Sequence, residues 1–162
     1  MLTEDEITIL LRTLLAALLG LVIGWERRAV GAPVRGRIIT LTTMTSAAVT
    51  AVGATYYPAE ASRIVAGIVT GIGFLGAGVI MRSSTGEVRG QATAAALWAM
   101  SCIGIIVGTG HAVLGIILTL TVFMIMAWSE WPLVNRLKQR QARRKAKDTE
   151  SQQSNETENF IK

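Results

Sequence analysis

The residues of this chain best suited to chemistry or to building a site are arginines and glutamates at the ends of apolar stretches, and glycines repeated at short intervals. Arg12 lies inside the first apolar stretch, on the same helical face as Ala16 and Gly20, and Arg63 precedes Gly67 and Gly71 at i+4 and i+8. Both are expected to face the interior of a bundle. An ionisable group at such a depth is costly without a partner, and the candidates are Glu6, Glu60 or an external anion such as phosphate. The plainer reading is a pair that snorkels and closes one face. A second set comprises Glu26, Arg27 and Arg37 after the first stretch, and Arg82, Glu87 and Arg89 after the third. An ion pair from Glu26 to Arg89 is expected if the first and third helices pack through glycine. The set then forms a contact surface, or it merely orders a membrane boundary.

The glycines contain Gly71-Ile-Gly73-Phe74-Leu75-Gly76, which has the G-x-G-x-x-G spacing of a dinucleotide site. That motif works only where a strand turns into a helix, so that backbone N–H groups meet a pyrophosphate. Here it lies inside a continuous apolar run, where small residues instead let helix backbones touch. Gly67, Gly71, Gly73, Gly76 and Gly78 fall within twelve positions. Each costs ~1 kcal/mol of helix propensity against alanine in water, so packing or flexibility must account for them. The pattern predicts a central third helix, with Gly20 and Gly24 of the first helix and Gly104 and Gly108 of the fourth as its partners. Leucine at Gly71 or Gly76 is then expected to break the fold.

Other chemistry has little to stand on. Cys102 is the single cysteine and His111 the single histidine, so no Cys/His metal spacing, no intramolecular disulfide and no nucleophile with a base and an orienter can be assembled. No enzyme, metal or cofactor is expected. The middle of each apolar stretch carries no Asp, Glu, Lys or His, which removes the carboxylate relay common in proton-coupled transporters. The second stretch is rich in hydroxyls, with Thr40, Thr42, Thr43, Thr45, Ser46 and Thr50. These either bond back to their own helix carbonyls or line a polar cavity.

The elements that must hold these residues are long. Crossing a ~30 Å hydrocarbon layer takes about 20 mostly apolar residues. Five stretches approach that length: 7–24, 38–55, 64–81, 92–110 and 112–128. Glu4, Asp5 and Glu6 precede the first one, where a cleaved signal needs positive charge, so this stretch is expected to stay in the mature protein. The fold class is therefore all-α, a polytopic transmembrane bundle of five helices occupying residues 1–130, followed by a basic tail over 131–162. A four-helix alternative, with one broken long segment, would put the tail on the other side.

Charge sets the orientation. Of 16 Lys and Arg residues, all but Arg12 and Arg63 fall in segments that five crossings put on one side. The positive-inside rule makes that side cytoplasmic, with the N-terminus outside and the C-terminus inside. Trp25, Trp128 and Trp131 then lie near the inner boundary. Leu133, Val134 and Leu137 share a side of a possible helix in the tail, which could rest on anionic headgroups or serve only as an anchor. The polar end from Asp148 is expected to be disordered. Nucleic acid is not an expected partner, because the basic tail lacks interleaved aromatics and a folded domain.

Three blocks together resemble the membrane domain of the MgtC/SapB family. Gly20-Leu-Val-Ile-Gly24-Trp25-Glu26-Arg27 is similar to its G-x-x-I-G-x-E-R block. Gly71-Ile-Gly73-Phe74-Leu75-Gly76-Ala77-Gly78 is similar to the core of its SGIGFLGAG signature, and Val88-Arg89-Gly90-Gln91-Ala92-Thr93 opens a block like VRGLTTAATLW. The chain departs from the pattern at Gly67, at Gln91 and around Arg35-Gly36-Arg37. The resemblance implies a multi-pass protein of the bacterial plasma membrane, with a role in adaptation to low magnesium and survival inside host cells. It implies a regulator or adaptor that works through other integral membrane proteins. The small-residue faces also admit a homodimer. The alternative is a small ion or solute transporter whose path passes the helix 2 hydroxyls and an Arg12/Arg63 mouth.

Overall fold

The computed structural model describes residues 2–29, 36–82 and 88–128. The tail at 131–162, Arg35 and Glu87 lie outside the described residues. Five helices follow in order: α1 (Glu4–Ala29), α2 (Gly36–Tyr56), α3 (Ala61–Val79), α4 (Gln91–Gly108) and α5 (Ala112–Trp128). A two-residue antiparallel ladder, β1 (Met81–Arg82) with β2 (Val88–Arg89), joins α3 to α4 and pairs Met81 with Arg89 and Arg82 with Val88. The first four helices are long and apolar enough to cross a membrane; α5 is apolar but shorter. The chain divides into two compact units, Met1–Ile125 and Met126–Lys162, and the described part of the second is the last turn of α5.

Local chemistry sets the helix ends. The backbone N–H of Thr3 donates to Glu6 Oε2 at 2.7 Å, while the N–H of Glu6 donates to Thr3 Oγ1 at 3.3 Å, a reciprocal cap on two donors that α1 leaves free. Arg27 and Arg28 occupy its last turn, where positive charge complements the helix dipole. At the other end of the domain α4 closes tightly. His111 N–H donates to the Ile106 carbonyl and Gly110 N–H to that of Val107, with Gly110 at φ 97°. This double bond with a left-handed glycine turns the chain from α4 into α5 within three residues.

Side chains then sort by face. Leu10, Leu14, Leu18 and Leu21 form an exposed stripe along α1, and Val113, Ile117, Leu120 and Met124 do the same on α5. So much exposed apolar surface belongs against lipid. The interior is held by Ile23, Ile39, Leu97, Met100 and Val107, all fully buried. Lipid tails are as apolar as leucine, so helices gain association energy from close packing more than from burial. Close packing is where the glycines matter. A Cβ at Gly24 would meet the Gly36 carbonyl oxygen at 2.5 Å, and one at Gly20 would meet Thr40 Cα at 2.8 Å, so α1 lies directly on the α2 backbone. On the other face of α2, a Cβ at Gly104 would run into the Thr43 carbonyl, and one at Gly108 would meet the Ala47 carbonyl oxygen at 2.5 Å.

These contacts make α2 the centre, with α1 and α4 against it, and they correct the expectation that α3 is central. Only Ile72 of α3 is buried. A Cβ at Gly67, Gly71, Gly73 or Gly78 would meet nothing within 4 Å, and one at Gly76 would meet only the Ala94 methyl at 4.0 Å. Glycines 20, 24, 104 and 108 do pack helices, but against α2. The physical reason is that α2 carries the small and hydroxylated residues Thr43, Ser46 and Ala47, whose low profile lets two glycine faces seat on it at once.

Candidate functional site

Charged groups gather at the two ends of the bundle. At one end stand the start of α1, the end of α4 and the turn into α5. Arg12 Nη1 donates to the Gly108 carbonyl at 2.9 Å, and the guanidinium lies over Gly110, where a Cβ would be 3.0 Å from Nη2. The turn bonds already satisfy the carbonyls of Ile106 and Val107, so Arg12 takes the next one along the helix end. Its partner is thus a backbone carbonyl; Glu6 caps α1 with Thr3, and Glu60 pairs with Arg63 at 3.3 Å. Arg63 does not face the interior, for its side chain is 83% exposed. Thr109 Oγ1 and His111 Nδ1 lie 3.1 Å apart in the same turn.

At the opposite end, α1 finishes beside the start of α2. Arg27 is 3% exposed and lies on the α1 face that also buries Ala16, Gly20, Ile23 and Gly24. Its Nε and Nη2 donate to the two carboxylate oxygens of Glu26, a bidentate pair between adjacent residues. The Glu26 carboxylate is therefore held by Arg27, which corrects the expected bond from Glu26 to Arg89. Adjacent side chains on a helix normally diverge, so this pairing had no spacing signal. The pair offsets its own charge where the Arg27 and Glu26 side chains are only 4% and 9% exposed, and loss of one member of such a pair is costly. Around it Arg28, Arg37, Arg82 and Arg89 are exposed, as is Trp25.

Between the two ends, the hydroxyls of α2 resolve largely into local bonds. Thr42 and Thr43 donate to the carbonyls of Ile38 and Ile39 at 3.0 and 2.7 Å, and Thr45 donates to that of Leu41 at 2.7 Å. Ser46 and Ser101 instead bond to each other across the α2/α4 seam at 2.7 Å, an interhelical link that the sequence reading missed. Thr50 is 2% exposed and its hydroxyl is without a hydrogen-bond partner. Gly36, which seats Gly24, has no packing role in the sequence reading, where it marks only a departure from the family pattern. Among the described residues, no group of three or more His, Cys, Asp or Glu gathers into a metal-binding set.

Apolar helices with lipid-facing stripes, backbone-close glycine seams and arginines at the helix ends define a polytopic α-helical membrane protein. The chain belongs to the MgtC family, whose sequence profile matches residues 13–132. It is 40% identical over 112 residues to protein MgtC of Salmonella typhimurium, covering 63% of this chain and 44% of that one. It is 38% identical over 127 residues to protein SrpB of Synechococcus elongatus, 70% of each chain, and 35% identical over 151 residues to an uncharacterised Haemophilus influenzae protein. That last alignment covers 87% of this chain and 63% of the relative, so the chain spans under two thirds of the Haemophilus and Salmonella proteins. No solved structure matches it.

Proposed function

We propose that this chain is a regulatory or adaptor protein of the bacterial plasma membrane, acting through other integral membrane proteins in adaptation to low magnesium or intracellular stress. The observation that carries the reading is the contrast between the two ends. The Arg12 end is spent on closing a helix turn. The Arg27 end presents Arg28, Arg37, Arg82 and Arg89 on a base stiffened by the buried Glu26 to Arg27 pair and the Gly24 to Gly36 contact. The excess of basic residues makes this end cytoplasmic. Exposed arginines on a fixed base suit recognition of an acidic partner surface or headgroup layer.

The test separates recognition from folding. Arg37→Glu and Arg82→Glu alter exposed side chains and are expected to leave the protein in the membrane at normal levels. Each should impair growth of the host bacterium in low magnesium. Normal growth of the double variant would remove the proposed surface from the function.

The unpartnered hydroxyl of Thr50 favours a second reading, a small ion or solute transporter, because an unsatisfied buried polar group can mark a path. Against it stands the close seam on which Thr50 lies, where a Cβ on Gly108 would be 2.9 Å from Thr50 Cβ.

A further inference from the structure

We propose that α3 is the seam of a homodimer, in which Phe74 of each copy seats over the glycines of the other and the Glu60 and Arg63 of each pair across the N-terminal end of the helix. At 100° per residue, Glu60, Arg63, Gly67, Gly71, Phe74 and Gly78 fall within an arc of about 80°, on the side of the helix away from Ile72. Phe74 is 82% exposed, while nothing lies within 4 Å of a Cβ placed on Gly67, Gly71 or Gly78. A bulky knob therefore stands beside a hollow on one face.

Several observations make the occupant a second copy. Within one membrane all copies insert in the same orientation, so two α3 helices that meet on this face run parallel about a two-fold axis. Such an interface must be complementary to itself. This face is so in shape, because it carries both the knob and the hollow. It is so in charge, because Glu60 and Arg63 are 55% and 83% exposed in their side chains and sit one turn apart at the same end. A two-fold brings the acid of each copy to the base of the other. Glycine facing acyl chains loses helix propensity and gains no contact, whereas glycine facing a parallel helix allows backbone approach and specific packing.

The experiment is disulfide trapping of the full chain in native membrane vesicles, with Cys102→Ala as background. Gly71→Cys and Phe74→Cys are the test positions; Leu41→Cys and Leu120→Cys, which are comparably lipid-facing, are the controls. Dimer yield at 71 and 74 is expected to exceed that at the controls by about tenfold, because a disulfide needs Cα atoms within roughly 7 Å. Equal yields at all four, no dimer at 71 and 74, or adducts of another mass would overturn the proposal. A second arm guards against misfolding. Gly71→Leu should abolish trapping through Phe74→Cys with the melting temperature unchanged, since nothing of another helix lies within 4 Å of a Cβ at this position; persistence of the dimer would refute the seam. In a third arm, Glu60→Lys and Arg63→Glu are coexpressed with different tags. Mixed dimers should exceed either homodimer by about threefold, because only the mixed pair sets opposite charges against each other; a statistical mixture would count against the charged contact.

Discussion

Arg12 donates a 2.9 Å hydrogen bond to the carbonyl of Gly108, 96 residues away in sequence, and so ties the first helix to the end of the fourth. A helix C-terminus leaves carbonyls that need donors, and the turn through Gly110 supplies only two of them here. Arg12→Leu is expected to lower stability in detergent by about 1 to 2 kcal/mol, the range for a bond to a charged donor discounted for partial exposure. Arg63→Leu, at an exposed surface pair, should change the melting temperature little. Equal effects of the two would show that the Arg12 bond contributes nothing particular.

The glycines divide into seated and open ones, and substitution should report the division. Gly104→Leu is expected to prevent folding, because its side chain would occupy the place of the Thr43 carbonyl. Gly71→Ala, in a detergent-solubilised monomer, should leave stability unchanged or raise it by up to about 1 kcal/mol through helix propensity. Circular dichroism melts of both variants decide the matter, and a folded Gly104→Leu would dismiss the α2/α4 seam.

The all-α class and the five helices were legible because an apolar run of this length has few other fates. The residues that pack helices were only half legible. Gly20, Gly24, Gly104 and Gly108 announced close approach, but a glycine marks the face that comes near and not the neighbour it meets. The neighbour was set by α2, whose Thr43, Ser46 and Ala47 read as polar or bland and left no signal of centrality. Arg12 was expected to meet Glu6, Glu60 or an anion and instead meets the Gly108 carbonyl, since backbone carbonyls at a distant helix end have no spacing relation to it. Glu26 likewise stood one residue from its partner, at an interval where helical side chains rarely meet.

The Glu26 to Arg27 pair should behave as a single neutral unit. Glu26→Gln removes the carboxylate that the buried Arg27 guanidinium holds and is expected to cost about 3 kcal/mol. Glu26→Leu combined with Arg27→Met removes both charges, and this double variant should recover at least half of that loss. The comparison needs only thermal melts in detergent. If the double variant is less stable than Glu26→Gln, the pair is not the unit that matters and Arg27 contributes chiefly through its other contacts.

The orientation can be read directly from cysteine labelling in a Cys102→Ala background. The starts of α2 and α4 and the ends of α1 and α3 share one end of the bundle, because Gly24 meets Gly36 and Gly90 meets the Val79 carbonyl. Arg37→Cys and Arg82→Cys should therefore react only with reagents admitted to the cytoplasmic side. Ala59→Cys, between α2 and α3, should react from outside. Labelling of Ala59→Cys from the inside alone would invert the proposed topology.

Whether the protein moves an ion by itself is a question its helix seams bear on. Magnesium dehydrates reluctantly and usually keeps several waters beside one or two carboxylates. Along the α2/α4 seam the oxygens on offer are hydroxyls and backbone carbonyls, and those of Thr42 and Thr43 already donate to carbonyls of their own helix. Ser46 and Ser101 share one hydrogen bond, and the buried Thr50 hydroxyl has no partner among the described residues. A few hydroxyls without a carboxylate are a poor cage for a divalent ion. Purified protein in proteoliposomes is therefore expected to show no Mg²⁺ flux above empty vesicles. Thr50→Val should leave growth in low magnesium unchanged, and because it removes an unsatisfied buried polar atom it should preserve stability or improve it slightly. Saturable flux that Thr50→Val abolishes would replace the adaptor reading with a transport path along this seam.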